Sequence, residues 1–274
     1  MSLFQAIVLG IVQGLTEFLP VSSSAHLVLV PWWLGWRSSP EVGFAFNVLV
    51  QLGTLLGVIV FFARDLVRLA VAAWQGLVRR QPFATSEARQ AWFITLATLP
   101  AVVAGVAIKE AVEQAFASPV ATSAFLLVTA AILWLSERAA RSERTLDSMR
   151  WPEAVWIGVA QAAALFPGVS RSGATMGAGR ALGFQRTEAA RFSFLMSVPV
   201  MLGAGLLTLR DLLGIPNPGA LAAPLLAGFT AAAVVGYFSI RWMLAFVAGH
   251  RWTVFAVYCF LVGLAGLATA LLRA

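Results

Sequence analysis

Charge is what this chain has least of. Only 11% of its 274 residues are Asp, Glu, Lys or Arg, where soluble domains carry roughly a quarter. Hydrophobic residues make up 60%. That balance excludes an ordinary soluble domain and points to a membrane-embedded one. Cysteine is nearly absent as well. The single Cys259 lies in an apolar run, so no disulfide framework or cysteine-based metal site can form. It reads as a small core residue. Lysine is reduced to Lys109, and the formal charge of +7 comes from arginines spread over segment ends. No basic patch results, which argues against nucleic acid as a partner; basic residues that flank membrane spans orient them instead. The N-terminus lacks a basic leader, and Glu17 and Pro20 interrupt its apolar stretch. A cleaved signal peptide is therefore not expected. Pro and Gly are not scarce, and both are commoner in membrane helices than in soluble ones.

What is present is a set of long apolar stretches. Those at 44–63, 92–110, 119–136, 192–209, 221–243 and 252–272 are long enough to cross a bilayer, which takes about 17–25 residues. Two further apolar regions, 3–35 and 154–183, are each broken midway by Pro and a serine cluster. The breaks read Leu19-Pro20-Val21-Ser22-Ser23-Ser24 and Phe166-Pro167-Gly168-Val169-Ser170-Arg171-Ser172. The pieces on either side are too short to span, so each region is expected to be a re-entrant helix–loop–helix hairpin. Irregular backbone at membrane depth is tolerated only where it is buried in protein or lines a wet cavity. The expected fold is thus an all-α polytopic membrane protein, with six transmembrane helices plus two re-entrant hairpins.

Arginine placement orients this layout. With both termini outside, 64–91 becomes a cytoplasmic connector carrying Arg64, Arg68, Arg79, Arg80 and Arg89. The second connector, 137–153, carries Arg138, Arg141, Arg144 and Arg150. Arg180, Arg186, Arg191, Arg241 and Arg251 also fall inside, against Arg37, Lys109, Arg210 and Arg273 outside. The bias is the one the positive-inside rule requires. Many tryptophans, among them Trp32, Trp33, Trp36, Trp92, Trp151 and Trp252, lie near proposed segment ends, as an interfacial belt would.

The two broken regions match each other at an offset of 148 residues. Gln13 pairs with Gln161, Phe18 with Phe166, Val21 with Val169, Ser22 with Ser170 and Ser24 with Ser172. Phe44 and Phe46 pair with Phe192 and Phe194. An internal repeat follows: about 1–136 and about 152–274, each one broken hairpin plus three spans within a single membrane domain. Three is odd, so the halves are inverted, and interrupted helices in inverted halves place a binding site between them near the midplane.

Of the acids only Glu17, and of the bases only Arg171, stands deep in an apolar stretch, and His26 sits one turn past the first serine cluster. Ionisable groups at such depth are costly and point to function; the plain alternative is a structural Glu17–Arg171 ion pair. Ser22 or Ser23 can cap the helix carrying His26. Ser170 or Ser172 can cap one beginning near Gly173. Helix N-termini with free amides and partial positive charge bind phosphate, and a guanidinium beside them holds it further. Gly168 and Gly173 allow close backbone approach. A carboxylate and an imidazole in the same pocket make it a reaction site. Gln13 lies one turn before Glu17 on the same face. Asn47 and Gln51 stand between packing and site wall, and His250, at a span end, reads as interfacial.

The segment Gln13-Gly-Leu-Thr-Glu17-Phe-Leu-Pro-Val-Ser-Ser-Ser-Ala-His26 resembles the first motif of the bacterial undecaprenyl-diphosphatase, or bacitracin-resistance protein, family. Pro167-Gly-Val-Ser-Arg-Ser-Gly-Ala-Thr175 resembles its second. The likeness covers the whole chain in length, motif spacing and span pattern. It implies hydrolysis of undecaprenyl diphosphate to undecaprenyl phosphate and inorganic phosphate in the bacterial inner membrane, with a site facing the periplasm. This activity recycles the lipid carrier for peptidoglycan and other cell-wall polymers and confers bacitracin resistance. It also implies a divalent cation, Mg²⁺ or Ca²⁺, with Glu17 and Gln13 as candidate ligands. Gln13 departs from the family, where many members carry Glu, and this weakens a base or metal role there. In this scheme Arg171, Ser170, Ser172, Gly173 and Thr175 cradle the phosphates, with Ser22 and Gln13 beside them. Glu17 orients or activates the nucleophile, either Ser23 or a water, and His26 serves as general acid or base. Membrane lipids surround the chain, and a homodimer is one assembly to test. The rival expectation is a lipid-phosphate flippase or transporter using the same midplane site.

Overall fold

The computed structural model describes residues 1–140, 143–212 and 218–273, without the side chains of 40, 207–212, 218 and 220. Arg141 and the Arg210 side chain, both counted in the charge bias above, lie outside the described residues. Among those residues the chain is all α-helical, with no strand. The helices are α1 Leu3–Phe18, α2 Ser23–Leu34, α3 Pro40–Phe61, α4 Ala63–Val78, α5 Ser86–Ala107 and α6 Lys109–Phe116. Then follow α7 Pro119–Ala139, α8 Trp151–Ala163, α9 Arg171–Ala181, α10 Arg186–Leu212, α11 Pro218–Gly249 and α12 Thr253–Arg273. Six are long and apolar enough to cross a membrane: Glu41–Phe61, Ser86–Ala107, Pro119–Ala139, Arg186–Leu206, Leu221–Gly249 and Thr253–Arg273. The chain is a multi-pass membrane protein.

Helix limits follow local chemistry as much as hydropathy. The second and fourth spans begin at 86 and 186 rather than 92 and 192. Charged residues sit comfortably in a first turn when they are paired or face water. Arg186 pairs with Glu137 at 2.7 Å and Arg191 with Asp65 at 2.6 Å. The connector 64–91 is largely helical, because α4 occupies it. Helix α1 ends at the Leu19-Pro20 step, since proline cannot continue the ladder. Gly35, at φ +65, closes α2 in the left-handed conformation.

The packing has an exchanged pattern. Helices α1 and α3 lie against α11, and α8 and α10 lie against α5. Helix α3 also meets α10, and α7 meets α12. Close crossings need glycine at two related places. A Cβ on Gly10 would run into the Gly228 carbonyl of α11, and one on Gly158 into Ala97 of α5. Gly10 and Gly158 are 148 residues apart, the same offset that relates the two broken regions. Phe18 and Phe194 meet edge to face at 5.4 Å in the buried core.

Buried Glu17 and half-buried Arg171 are not the only charges taken out of solvent. Glu137 and Arg180 have side chains only 3% and 5% exposed, at the ends of α7 and α9. Arg186 grips Glu137 with two hydrogen bonds, and Arg180 reaches Glu143 at 2.8 Å. Arg144 pairs with Glu153 at 2.7 Å, and its backbone bridges to Gly183 and Gln185. Together these contacts tie the 143–150 connector to the turn after α9. Helix packing buries these charges, so their position in the sequence did not reveal it. Burial pushes the Glu153 carboxyl upward, but hydrogen bonds from Arg144 and the Arg150 amide outweigh it and hold it below the ordinary range. Trp252 is likewise no interfacial anchor. It is fully buried and its indole N–H donates to Ser136 at 3.2 Å.

Candidate active site

Both broken regions turn by the same device. In the first, Ser22 takes φ +67, a region costly for any residue with a side chain. Its hydroxyl accepts from the Ala25 amide and so caps α2. In the second, Gly168 takes φ +108, and a Cβ there would strike the Thr122 carbonyl. The Ser170 hydroxyl accepts from the Gly173 amide at 3.0 Å and caps α9. Of the alternatives for each cap, Ser22 and Ser170 are the ones used.

The turns are bonded to each other. The Gly168 amide donates to the Ser22 hydroxyl at 3.2 Å, and the Ser172 hydroxyl donates to the Leu19 carbonyl at 2.9 Å. Thr129 of α7 supports the second turn, donating to the Gly168 carbonyl at 2.7 Å and accepting from the Ser170 amide at 2.9 Å. The Cys259 thiol reaches the Pro20 carbonyl at 3.6 Å. Leu19, Pro20 and Ser22 thus meet Gly168, Ser170 and Ser172 in one place.

Glu17 is at the centre, with a side chain 7% exposed. Its Oε1 accepts from Arg171 Nη2 at 2.6 Å. Its Oε2 accepts from the Ser23 hydroxyl at 2.5 Å and from Gln13 Nε2 at 2.8 Å. Gln13 also reaches Thr54 on α3. Two buried polar atoms here have no partner among the described residues: Arg171 Nη1, a donor, and Gln13 Oε1, an acceptor. An unmet donor and acceptor beside a carboxylate and a hydroxyl leave room for a ligand's hydrogen bonds, since such groups are costly to bury unmet.

The remaining candidates stand further back. Both ring nitrogens of His26 are engaged, Nδ1 with the Ser22 carbonyl at 2.8 Å and Nε2 with the Tyr258 hydroxyl at 2.7 Å. Its link to Glu17 and Ser23 runs through the Ser22 turn. Thr175 donates to the Arg171 carbonyl at 2.8 Å and shares a 2.6 Å contact with Ser193, so it lies behind Arg171. Gly173 is buried at the start of α9. On α3, Gln51 is exposed and Asn47 half-buried. His250 is exposed at the end of α11. Tyr258, Thr129, Thr54 and Ser193 were not singled out from the sequence. Tyr258 is one of only two tyrosines in the chain, a scarcity that could have flagged it.

Residues 6–265 match the family model described as "Bacitracin resistance protein BacA". The chain belongs to this family. Its curated relatives agree. A Myxococcus xanthus protein named undecaprenyl-diphosphatase is 46% identical over 94% of this chain and 86% of its own length. Namesakes from Desulforudis audaxviator and Gemmatimonas aurantiaca are 42% and 44% identical. Coverage is 100% of both chains for the first and 98% of both for the second. The cluster of Glu17, Ser23, Gln13 and Arg171 is therefore the natural place to look for the chemistry of this BacA-family chain.

Proposed function

We propose that this chain is an undecaprenyl-diphosphatase, hydrolysing undecaprenyl diphosphate to undecaprenyl phosphate and inorganic phosphate and so conferring bacitracin resistance. The observation that carries the reading is the buried junction of the two broken regions. There one carboxylate holds both a serine hydroxyl and a guanidinium. Phosphoryl transfer needs little more than a placed nucleophile and charge stabilisation. Arg171 Nη1 meets the phosphoryl oxygens, with the amides opening α9 beside it.

The short Ser23–Glu17 hydrogen bond favours Ser23 over water as the first nucleophile. Glu17 takes the Ser23 proton as Oγ bonds to the terminal phosphorus. The bridging P–O bond breaks, and its electron pair leaves with undecaprenyl phosphate, which receives the proton from Glu17. Glu17 then takes a proton from water, whose oxygen attacks the phosphoserine. That proton passes to Ser23 Oγ as the second P–O bond breaks and inorganic phosphate departs. His26 fixes the turn that presents Ser23.

A divalent cation, Mg²⁺ or Ca²⁺, fits this donor set if the substrate brings part of its shell. The protein offers the Glu17 carboxylate and Gln13 Oε1, which has no partner among the described residues, and those residues hold no group of three His, Cys, Asp or Glu. Mg²⁺ commonly binds through one or two carboxylates plus substrate phosphates. When bound, the cation neutralises charge on the diphosphate oxygens.

The two halves are inverted repeats, 1–136 and 152–274, and the broken regions are re-entrant. The exchanged packing of α1 on α11 and α8 on α5 supports this, as do the matching crossings at Gly10 and Gly158. With the arginine bias the termini lie outside and the site faces the periplasm. A maleimide test is direct, because the only native cysteine is buried. Ser38→Cys labels from outside and Ala84→Cys only after the membrane is opened; the reverse pattern overturns the orientation.

The relatives are named as diphosphatases, and nothing in the comparisons favours a flippase. Purified protein in detergent should release phosphate from undecaprenyl diphosphate, and Glu17→Ala should not. Detergent removes sidedness, so a pure transporter releases none.

A further inference from the structure

Tyr258 belongs to neither motif and comes from α12, 232 residues after His26. The His26 ring fixes what this tyrosine does. A carbonyl can only accept, so the 2.8 Å contact with Ser22 puts the proton of a neutral His26 on Nδ1. Nε2 is then the acceptor, and the Tyr258 hydroxyl donates to it at 2.7 Å. The two rings are held within 8° of parallel. A neutral imidazole otherwise moves between two tautomers, and the partner of one nitrogen decides the state of the other.

The Ser22 carbonyl has two donors from the same residue, the His26 backbone amide at 3.3 Å and the ring Nδ1. This carbonyl belongs to the one residue of the first turn held at positive φ. The residue after it is Ser23, whose hydroxyl meets Glu17. The Ser22 hydroxyl also receives the Gly168 amide of the opposite turn. A chain of contacts therefore runs Tyr258, His26, Ser22, and from Ser22 to both Ser23 and the second loop.

We propose that Tyr258 is a positioning residue for the phosphatase reaction: its hydroxyl donates to Nε2 of the Nδ1–H tautomer that the Ser22 carbonyl selects, holding the His26 ring so that it clamps the strained Ser22 turn and sets Ser23 against Glu17. This rests on the diphosphatase reading above. Helix α12 thereby contributes to a site otherwise built from the two broken regions.

Tyr258→Phe keeps the ring and removes only the hydroxyl. In the full chain in detergent it should lower kcat for phosphate release from undecaprenyl diphosphate about tenfold, the order lost when a reacting group is less well placed. KM should stay within about twofold, since Arg171 and the phosphate cradle are untouched. Side-chain ¹⁵N NMR reads the tautomer without reference to activity. His26 and His250 are the only histidines, so His250 serves as the internal reference. Wild-type His26 should show a single Nδ1–H form whose Nε2 resonance is shifted by the Tyr258 hydrogen bond, and Tyr258→Phe should keep the tautomer and lose that shift. A wild-type kcat or an unchanged Nε2 resonance in Tyr258→Phe overturns the proposal. So does an Nε2–H form in the wild-type protein, which needs no variant to fold. Wild-type protein that releases no phosphate while His26 behaves as described would instead overturn the diphosphatase reading and leave the His26–Tyr258 clamp standing.

Discussion

The two broken regions share a scaffold and, in the proposed reaction, divide the chemistry. At the offset of 148, Ser22 and Ser170 both cap the helix after the break, and Gln13 and Gln161 both leave a buried side-chain oxygen without a partner among the described residues. The reacting groups do not match. Glu17 corresponds to Leu165, Ser23 to Arg171 and His26 to Ala174. One turn supplies a hydroxyl and its carboxylate; the other supplies, at the same place in the turn, the cation that faces them. The proposed repeat accounts for the architecture, and the proposed catalysis lies where the two regions depart from it. The far ends differ too. Helix α9 runs into the ionic cluster of Arg180, Glu143 and Glu137. Helix α2 ends at Gly35, and Arg273 caps it by donating to the Trp32 carbonyl.

The largest test of this division is Arg171→Ala. It should lower turnover on the order of 10³-fold or more, as loss of a phosphate-facing arginine does, while the folded protein survives in detergent. Full activity would mean that the second region contributes no charge to the reaction. Ser23→Ala comes next. A loss of roughly 10²-fold or more is expected for a removed nucleophile, and phosphoserine at Ser23 should be trapped by rapid quench and mass spectrometry in the wild type. Near-normal turnover of this variant would hand the attack to water.

The equivalent glutamines sharpen the comparison. Gln13 donates to Glu17, whereas Gln161 donates to the Ala97 carbonyl of α5. Gln13→Ala should slow phosphate release about tenfold through the freed carboxylate. Gln161→Ala should instead cost about 1 kcal/mol of stability, read by thermal unfolding, with turnover kept. Equal kinetic losses would show that the two regions are functionally alike. The smallest effect concerns pH. The Glu153 carboxyl is held below the usual range by Arg144, so its contribution is present above its unfolded value of 4.5. It is lost as pH falls through the lower folded value. Thermal stability should therefore fall on acidification, and Glu153→Gln should flatten that fall.

Much of this was legible in the sequence, for physical reasons. A charge-poor chain with long apolar stretches has few alternatives to helical spans, and a proline followed by serines marks both breaks. Glu17 and Arg171 stood out because carbon surrounds them along the chain. Glu137 and Arg180 did not: Glu137 has Ser136 and Arg138 beside it, Arg180 comes at the end of its apolar stretch, and packing buries both. Trp252 misled for the same reason. Tyr258 and Thr129 lie in apolar spans, where a lone hydroxyl looks like packing until the partner loop is folded against it. The ring of His26 showed no preference for Ser22 until Ser22 was seen to cap α2, which aims its carbonyl along the helix at His26.

The central claim is that Glu17 and Arg171, from different halves, act as one unit. A double-mutant cycle on kcat/KM with Glu17→Gln and Arg171→Lys tests it most directly. The account predicts that the double variant is scarcely slower than the worse single variant, because each change already breaks the shared cluster. Losses that multiply would show two independent groups and contradict it.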